Sequence, residues 1–435
     1  MKRGFYTIMS AQFFSSLADN ALFVTAVELL KSSGAPEWQR AALVPMFALF
    51  YVVLAPFVGA FADSQPKGKV MLLSNAIKVV GCLMMLFGTH PLAAYAVVGL
   101  GAAAYSPAKY GILTELLPAS QLVKANGWIE GLTIGSIILG VLLGGQLIGH
   151  TLSSILLSWD LPFFDTGVDT PPEAAISILV LVYVIAAWFN TRIPLTGAAL
   201  VPLRANPDKS LAYNLLTLLP DFWLCTQRLW RDKLGQISLA STTLFWGVSG
   251  NLRYIVLAWS AAALGYSTTQ ASSLVGVVAI GTAIGAIAAS MRMRLDHAPK
   301  VISLGIAMGV LVVGMRFIDQ LWMAAPFLIL LGGLGGFLVV PMNALLQHRG
   351  HNLMGAGRSI AVQNMNEQLC ILTLGGLYSL CTSMGLSAYG AITAFGVLVA
   401  YTMWLIKLWH ESNHVHHREE LARLLHVARN DNLHG

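Results

Sequence analysis

Charge is what this chain has least of. Only 11% of its 435 residues are Asp, Glu, Lys or Arg, 56% are hydrophobic, and the mean hydropathy is +0.69. A soluble protein of this size needs a charged exterior, so that class is excluded. Cysteine is also scarce. Cys82, Cys225, Cys370 and Cys381 have no metal-ligand spacing, and three of them fall in apolar runs, so they are read as packing residues. Met1-Lys2-Arg3 leads straight into a long apolar run without a small-residue cleavage site, which makes the first segment a retained helix rather than a signal peptide. No nucleophile stands with a base and no ligand cluster with a metal spacing, so neither an enzyme nor a bound cofactor is expected. A nucleic-acid partner is not expected either.

What is abundant is apolar sequence long enough to cross a hydrocarbon core of about 30 Å. Such stretches fall at about 4–30, 41–62, 69–89, 91–113, 121–149, 174–193, 236–263, 269–291, 300–317, 321–347, 357–384 and 387–409. The reading is an all-α integral membrane protein of twelve transmembrane helices. The formal net charge of +6 reflects topology more than an anionic partner. Lys67, Lys69, Lys109, Lys124, Arg192, Arg204, Lys209, Arg228, Arg231, Lys233, Arg292, Arg294, Lys300, Arg349 and Arg358 sit in or beside the even-numbered connections, whereas the odd-numbered ones hold Lys31, Arg40 and Arg316. Positive residues stay on the cytoplasmic side, which places both termini there.

Two of the rare charges lie inside apolar runs. Asp19 stands in Ser16-Leu17-Ala18-Asp19-Asn20-Ala21, and Arg253 in Ser249-Gly250-Asn251-Leu252-Arg253-Tyr254. A charge at the centre of a membrane helix costs roughly 2.5–3.5 kcal/mol on insertion scales, so each is a functional-site candidate that needs a partner or a wet cavity. The chain also repeats. Gly101 to Lys109 aligns with Gly335 to Asn343 at an offset of 234, and Asn20 with Asn251 at 231. Nearly equal offsets at distant anchors imply two parallel six-helix repeats, pseudo-symmetric about an axis along the membrane normal. Asp19 and Arg253 are then expected to face each other across that axis and neutralise each other.

The domains read as a six-helix bundle over 1–193, a linker over 194–235, a second bundle over 236–410 and a tail over 411–435. The linker turns amphipathic through Leu215, Leu218, Leu219, Phe222, Trp223, Leu229 and Trp230. With Arg228, Arg231 and Lys233 it suits either a helix at the inner leaflet or one packed under the bundle. The connection over 151–173 holds Asp160, Asp165, Asp169 and Glu173 with no Lys or Arg, as an outward loop would. The tail can form a short helix through Leu421, Leu424 and Leu425; its histidines, among them His414, His416 and His417, lack a partner set for a metal. His426 and Asp431 have the bare His-x4-Asp spacing of acyltransferases, but the four residues that follow could not build an acyl-chain site.

Gly59-Ala-Phe-Ala-Asp63-Ser64-Gln-Pro-Lys67-Gly68-Lys69 resembles the loop motif of the major facilitator superfamily, with Ser64 where that family usually carries a basic residue. A gating role for Asp63, Lys67 and Lys69 is what that resemblance implies. A narrower resemblance rests on Ala18-Asp19-Asn20-Ala21-Leu22, Ala55-Pro56-Phe57-Val58-Gly59, Tyr105-Ser106-Pro107-Ala108-Lys109-Tyr110-Gly111, Leu122-Val123-Lys124-Ala125-Asn126-Gly127, Val340-Pro341-Met342-Asn343 through Gln347, and Ala361-Val362-Gln363-Asn364. Together these are similar to the bacterial lysophospholipid transporter family of that superfamily.

The resemblance implies a major facilitator fold and a flippase. It would move lysophosphatidylethanolamine and lysophosphatidylglycerol from the outer to the inner leaflet of the bacterial inner membrane, where an acyltransferase partner restores the missing chain. Exposing a sixteen-carbon tail to water would cost on the order of 12 kcal/mol, so the tail stays in lipid while the head needs a polar path. Arg253 is the expected phosphate ligand, because a guanidinium gives two parallel hydrogen bonds to phosphate oxygens. Asp19 would hold Arg253 in the empty site. Asn20, Asn251, Gln363, Asn364 and Glu367 are expected to line the same cavity, Glu130 to face it one turn beyond Asn126, and Lys109 to attract phosphate near the cytoplasmic exit. Lys78 is expected to snorkel, with no substrate role. The competing reading is a proton- or sodium-coupled exporter of amphipathic drugs, with Asp19 as the coupling carboxylate.

Overall fold

The computed structural model describes residues 3–158, 170–203, 208–266 and 268–430. Asp160, Asp165, Asp169 and Asp431 lie outside them. The described residues are helical, with no strand among them. The first half runs through α1 (Arg3–Ser32), α2 (Glu37–Val53), α3 (Ala55–Ser64), α4 (Lys67–Leu86), α5 (Pro91–Leu116), α6 (Ala119–Ile148), α7 (His150–Leu157) and α8 (Pro171–Thr191). The linker holds α9 (Leu211–Leu216) and α10 (Leu218–Arg231). Then follow α11 (Gly235–Leu264), α12 (Thr268–Arg292), α13 (Ile302–Gly314), α14 (Leu321–Met354), α15 (Ala356–Ser383), α16 (Ala388–His416) and α17 (Arg418–Asn430).

Among the described residues, eight helices have the length and apolarity to cross a membrane, or up to nine if α2 and α3 form one span. These two are bent by 64° at Leu54. Pro56 sits in the first turn of α3, where its missing N–H costs nothing, and its ring opposes continuation of α2. The run over 41–62 therefore folds as a broken pair. Helices α5, α11 and α15, with 26, 30 and 28 residues, also exceed the roughly 20 that a span requires, but carry more polar side chains.

Two compact units emerge, one of Met1–Ile112 with Gly135–Leu219 and one of Leu113–Ile134 with Pro220–Gly435. In the first, α8 packs on α1 and α4. Helix α6 reaches α1 through glycines: a β-carbon at Gly140 would lie 2.6 Å from the Leu17 carbonyl oxygen, and one at Gly144 2.7 Å from that of Ala21. Small residues let backbones touch, which is how membrane helices gain contact without a hydrophobic drive between them. In the second unit α12 and α14 meet in the same way, through Gly281 and Gly285 on one side and Gly332 and Gly336 on the other.

The repeat read from sequence recurs in these contacts. A β-carbon on Gly99 would meet the Phe47 carbonyl oxygen, and one on Gly333 that of Gly281; one on Gly101 would meet the Ser74 carbonyl oxygen, and one on Gly335 the Met308 sulfur. Each residue of the second pair stands 234 positions after its counterpart in the first, so the halves share helix-packing geometry as well as motifs.

The linker helix α10 buries Leu218, Phe222, Cys225 and Leu229, so it packs against protein along one face. Asp221 bonds Arg358 at 2.9 Å, and Trp230 stacks on Trp409. The tail forms α17, which buries Leu421, Leu424 and Ala428 and packs on α16 and on the 3-10 turn Leu295–Val301.

Candidate functional site

In the first unit the rare charges are brought together. Lys78 Nζ on α4 lies 2.7 Å from Asp19 Oδ2 on α1, and donates also to Ser15 Oγ at 2.9 Å. Tyr183 on α8 donates its hydroxyl to the other carboxylate oxygen, Asp19 Oδ1, at 2.7 Å. Ser15 donates onward to Asn75 Oδ1 at 2.8 Å. The ammonium also faces the ring of Tyr105 at 4.9 Å and that of Tyr183 at 5.6 Å from the centroids. The lysine side chain is 1% exposed and the carboxylate 19%, so the cation is sealed inside while the anion remains reachable.

Lys78 is the residue that sequence reasoning missed. It does not snorkel, because a carboxylate, a hydroxyl and two ring faces satisfy it in place. The signal was available: a lone charge within the apolar run of α4 obeys the same rule that singled out Asp19. Among the described residues the counter-charge in contact with Asp19 is Lys78; the partner expected from the sequence is Arg253. Arg253 itself stands on α11, and its side chain lies outside the described residues.

Asn20, beside Asp19, donates back to the Ser16 carbonyl at 2.8 Å. Lys109 is buried on α5 one turn after Tyr105, with its ammonium 4.0 Å from the Tyr110 ring centroid. Helix α5 continues through Pro107 without a break.

In the second unit, Gln363 on α15 donates from Nε2 to Asn343 Oδ1 on α14 at 2.9 Å and to Glu367 Oε1 at 2.8 Å. Its own carbonyl oxygen is buried with no partner among the described residues. Two acceptors face the nitrogen, so the amide orientation is fixed and the spare oxygen points away from both. Such a group awaits a donor, since an unmet buried acceptor costs about 1–3 kcal/mol. Asn364 and Glu367 are buried on the same helix. Asn251 instead bonds the carbonyls of Gly247 and Ile371, at 2.8 and 3.0 Å, and so ties α11 to α15. Glu130 is buried at 3% exposure. Asn126, one turn before it, exchanges two hydrogen bonds with Gln347 of α14, at 2.9 and 2.8 Å.

The loop motif also forms a pair. Lys67 Nζ lies 2.9 Å from Asp63 Oδ1 and 2.7 Å from the Ala62 carbonyl oxygen, with both side chains buried. The Asp63 carbonyl accepts from Val201 N at 3.0 Å. Lys69 is exposed and reaches Gln65 at 3.0 Å. In the second unit, Arg349 makes a two-point contact with Asp232, Nη2 to Oδ2 at 2.7 Å and Nε to Oδ1 at 3.2 Å. Among the described residues, no group of three or more His, Cys, Asp or Glu is arranged to hold a metal.

Each unit thus holds charges balanced by close partners and buried amides on its helices, within an otherwise apolar set of helices. The family described as Major Facilitator Superfamily matches residues 8–373. The Lysophospholipid transporter LplT of Yersinia enterocolitica serotype O:8 is 40% identical over 386 residues, covering 88% of this chain and 89% of that one. The protein of the same name from Yersinia pestis (strain Pestoides F) is 39% identical, covering 88% of each. In fold, the chain is similar to the transporter FucP in its outward conformation, at a TM-score of 0.71 and 11% identity over 93% of this chain and 98% of that one. It is also similar to the human organic anion transporter MFSD10, at 0.67 and 14% over 93% and 100%.

Proposed function

Since this chain belongs to the Major Facilitator Superfamily and, within it, to the lysophospholipid transporter family, we propose that it carries lysophospholipids from the outer to the inner leaflet of a bacterial inner membrane. Both termini are then cytoplasmic, as the placement of Lys and Arg suggests. The delivered molecule lacks one acyl chain, so the reaction that consumes it is an acylation, and an acyltransferase is the functional partner.

The observation that carries the reading at residue level is the half-open Asp19–Lys78 pair. A carboxylate held by a sealed ammonium and a tyrosine hydroxyl is fixed in place while 19% of its side-chain surface stays exposed. It can meet an ethanolamine ammonium without first being stripped of its counter-ion. Arg253 is assigned to the phosphate. Asn20, Lys109, Glu130, Asn251, Asn364, Gln363 and Glu367 are assigned to the polar path, and the unpartnered Gln363 oxygen is an acceptor for a head-group hydroxyl or ammonium. Movement proceeds by alternating access, the Asp63, Lys67 and Lys69 loop acting at the gate.

The test is reconstitution in liposomes carrying a fluorescent lysophosphatidylethanolamine in one leaflet. Wild type is expected to move it across, and a folded Arg253→Ala to lose most of that movement. No transfer by wild type above empty liposomes, with or without an imposed ion gradient, overturns the reading.

A further inference from the structure

Helix α10 has two apolar faces, and the fold uses one. The buried stripe of Leu218, Phe222, Cys225 and Leu229 lies against protein, while Leu219, Trp223 and Leu224 on the opposite side are 45%, 61% and 51% exposed. Leu216, just before the helix, is 64% exposed. Such a ridge is out of place in water, and its composition says what should cover it. Arg228 and Arg231 in the last turn are both exposed. The acids nearby do not cancel them: Asp221 is engaged by Arg358 and Asp232 by Arg349. The ridge is therefore apolar with an uncompensated positive end.

Its height is set by what pins it. Arg349 lies in the last turns of α14, Arg358 in the first turn of α15, and Trp409 near the end of α16. The ends of three long helices are gripped, two of which, α14 and α16, have the length and apolarity to cross a membrane, and a helix held at such ends sits beside the membrane surface. The two ion pairs, one at each end of the helix, also fix its rotation, so the ridge cannot turn inward.

We propose that this second face of α10 is a membrane-surface contact: Leu219, Trp223 and Leu224 enter the interfacial zone of the leaflet next to the basic loops, and Arg228 and Arg231 bind anionic phospholipid heads there. Tryptophan favours that zone because its ring is apolar and its N–H is not, and arginine near an anionic surface gains electrostatic attraction. The contact is independent of the transported substrate and of which residues bind it.

The experiment uses the full chain in proteoliposomes, with Trp223→Cys carrying an environment-sensitive fluorophore. The partly exposed Cys370 and Cys381 are replaced by alanine, and the buried Cys82 and Cys225 are left in place. A spin label high on the acyl chain is expected to quench the probe several-fold more strongly than aqueous iodide. Adding phosphatidylglycerol to phosphatidylcholine should deepen that difference, and Arg228→Gln with Arg231→Gln should abolish the dependence on phosphatidylglycerol while leaving the probe in lipid. Leu219→Cys serves as a second label site. Iodide quenching equal to that of a label at Ser412→Cys on the exposed end of α16 would overturn the proposal and mark the ridge as a face for water or for another protein. A probe in lipid that ignores phosphatidylglycerol would overturn the anionic part.

Discussion

Lys78 Nζ stands 2.7 Å from Asp19 Oδ2, a bond between residues 59 positions apart on α1 and α4. Removing the lysine alone leaves a carboxylate without its counter-ion, a change that costs roughly 3–5 kcal/mol in buried pairs. Asp19 keeps 19% exposure, so the lower end applies. Lys78→Met is therefore expected to lower the yield and thermal stability of folded protein. Asp19→Asn with Lys78→Met removes both charges and should restore stability. If the pair merely joins helices, the double variant transports as wild type; if Asp19 meets the head group, the double variant is stable and inactive. Thermal unfolding and lysolipid transfer on the same preparations separate the two.

Gly285 carries the second prediction. A β-carbon there would fall 2.0 Å from the Gly333 carbonyl oxygen, a contact with backbone that no rotamer can relieve. Gly285→Ala must push α12 away from α14 and lose the close packing that holds membrane helices together. A fall in folded yield is expected, measured as the monodisperse fraction in detergent. Gly276→Ala on the same helix is the control, because nothing lies within 4 Å of its β-carbon position.

What the sequence revealed follows from the range over which each signal acts. Spans are legible because membrane thickness fixes a run length within one segment. The repeat is legible because Gly101–Lys109 and Gly335–Asn343 keep their spacing, and the same 234-residue offset returns in the glycine contacts. Asp19 was legible as a lone charge in an apolar run. Its partnership with Lys78 and Tyr183 was not, since it depends on how α1, α4 and α8 rotate against one another, and no local pattern encodes that. The break at Leu54 shows the intermediate case: Pro56 was visible, but a run of apolar residues gives no sign of whether the chain bends there or runs straight.

The third prediction concerns the amide pair of Asn126 and Gln347. Each donates to the other, both side chains are buried, and neither carries charge. Asn126→Ala leaves the Gln347 amide unmet, which costs about 1–3 kcal/mol. Asn126→Leu with Gln347→Leu places an apolar pair there and should recover much of it. A double-mutant cycle by chemical denaturation in detergent is expected to return a coupling energy of about 1 kcal/mol or more. Strictly additive single effects would mean that each amide is satisfied elsewhere.

Asp232 serves two structures at once, and the last prediction separates them. Its Oδ1 accepts from the backbone N–H groups of Leu234 and Gly235 at 3.2 and 2.7 Å, where α11 begins, and its carboxylate receives Arg349 at two points. An asparagine keeps an oxygen for the backbone groups but loses the charge. An alanine loses both, and losing an acceptor for backbone N–H groups costs about 0.5–1.5 kcal/mol per hydrogen bond. Asp232→Asn should therefore destabilise through Arg349, which is 6% exposed and would be left as a buried cation. Asp232→Ala should be worse by the contribution of those backbone hydrogen bonds. In the background of Arg349→Met the order changes: Asp232→Asn becomes nearly neutral, while Asp232→Ala still loses the backbone hydrogen bonds. Melting temperatures of the five variants in one detergent test this directly. Equal losses for Asn and Ala in both backgrounds would show that Asp232 acts through its charge alone and that α11 starts without its help.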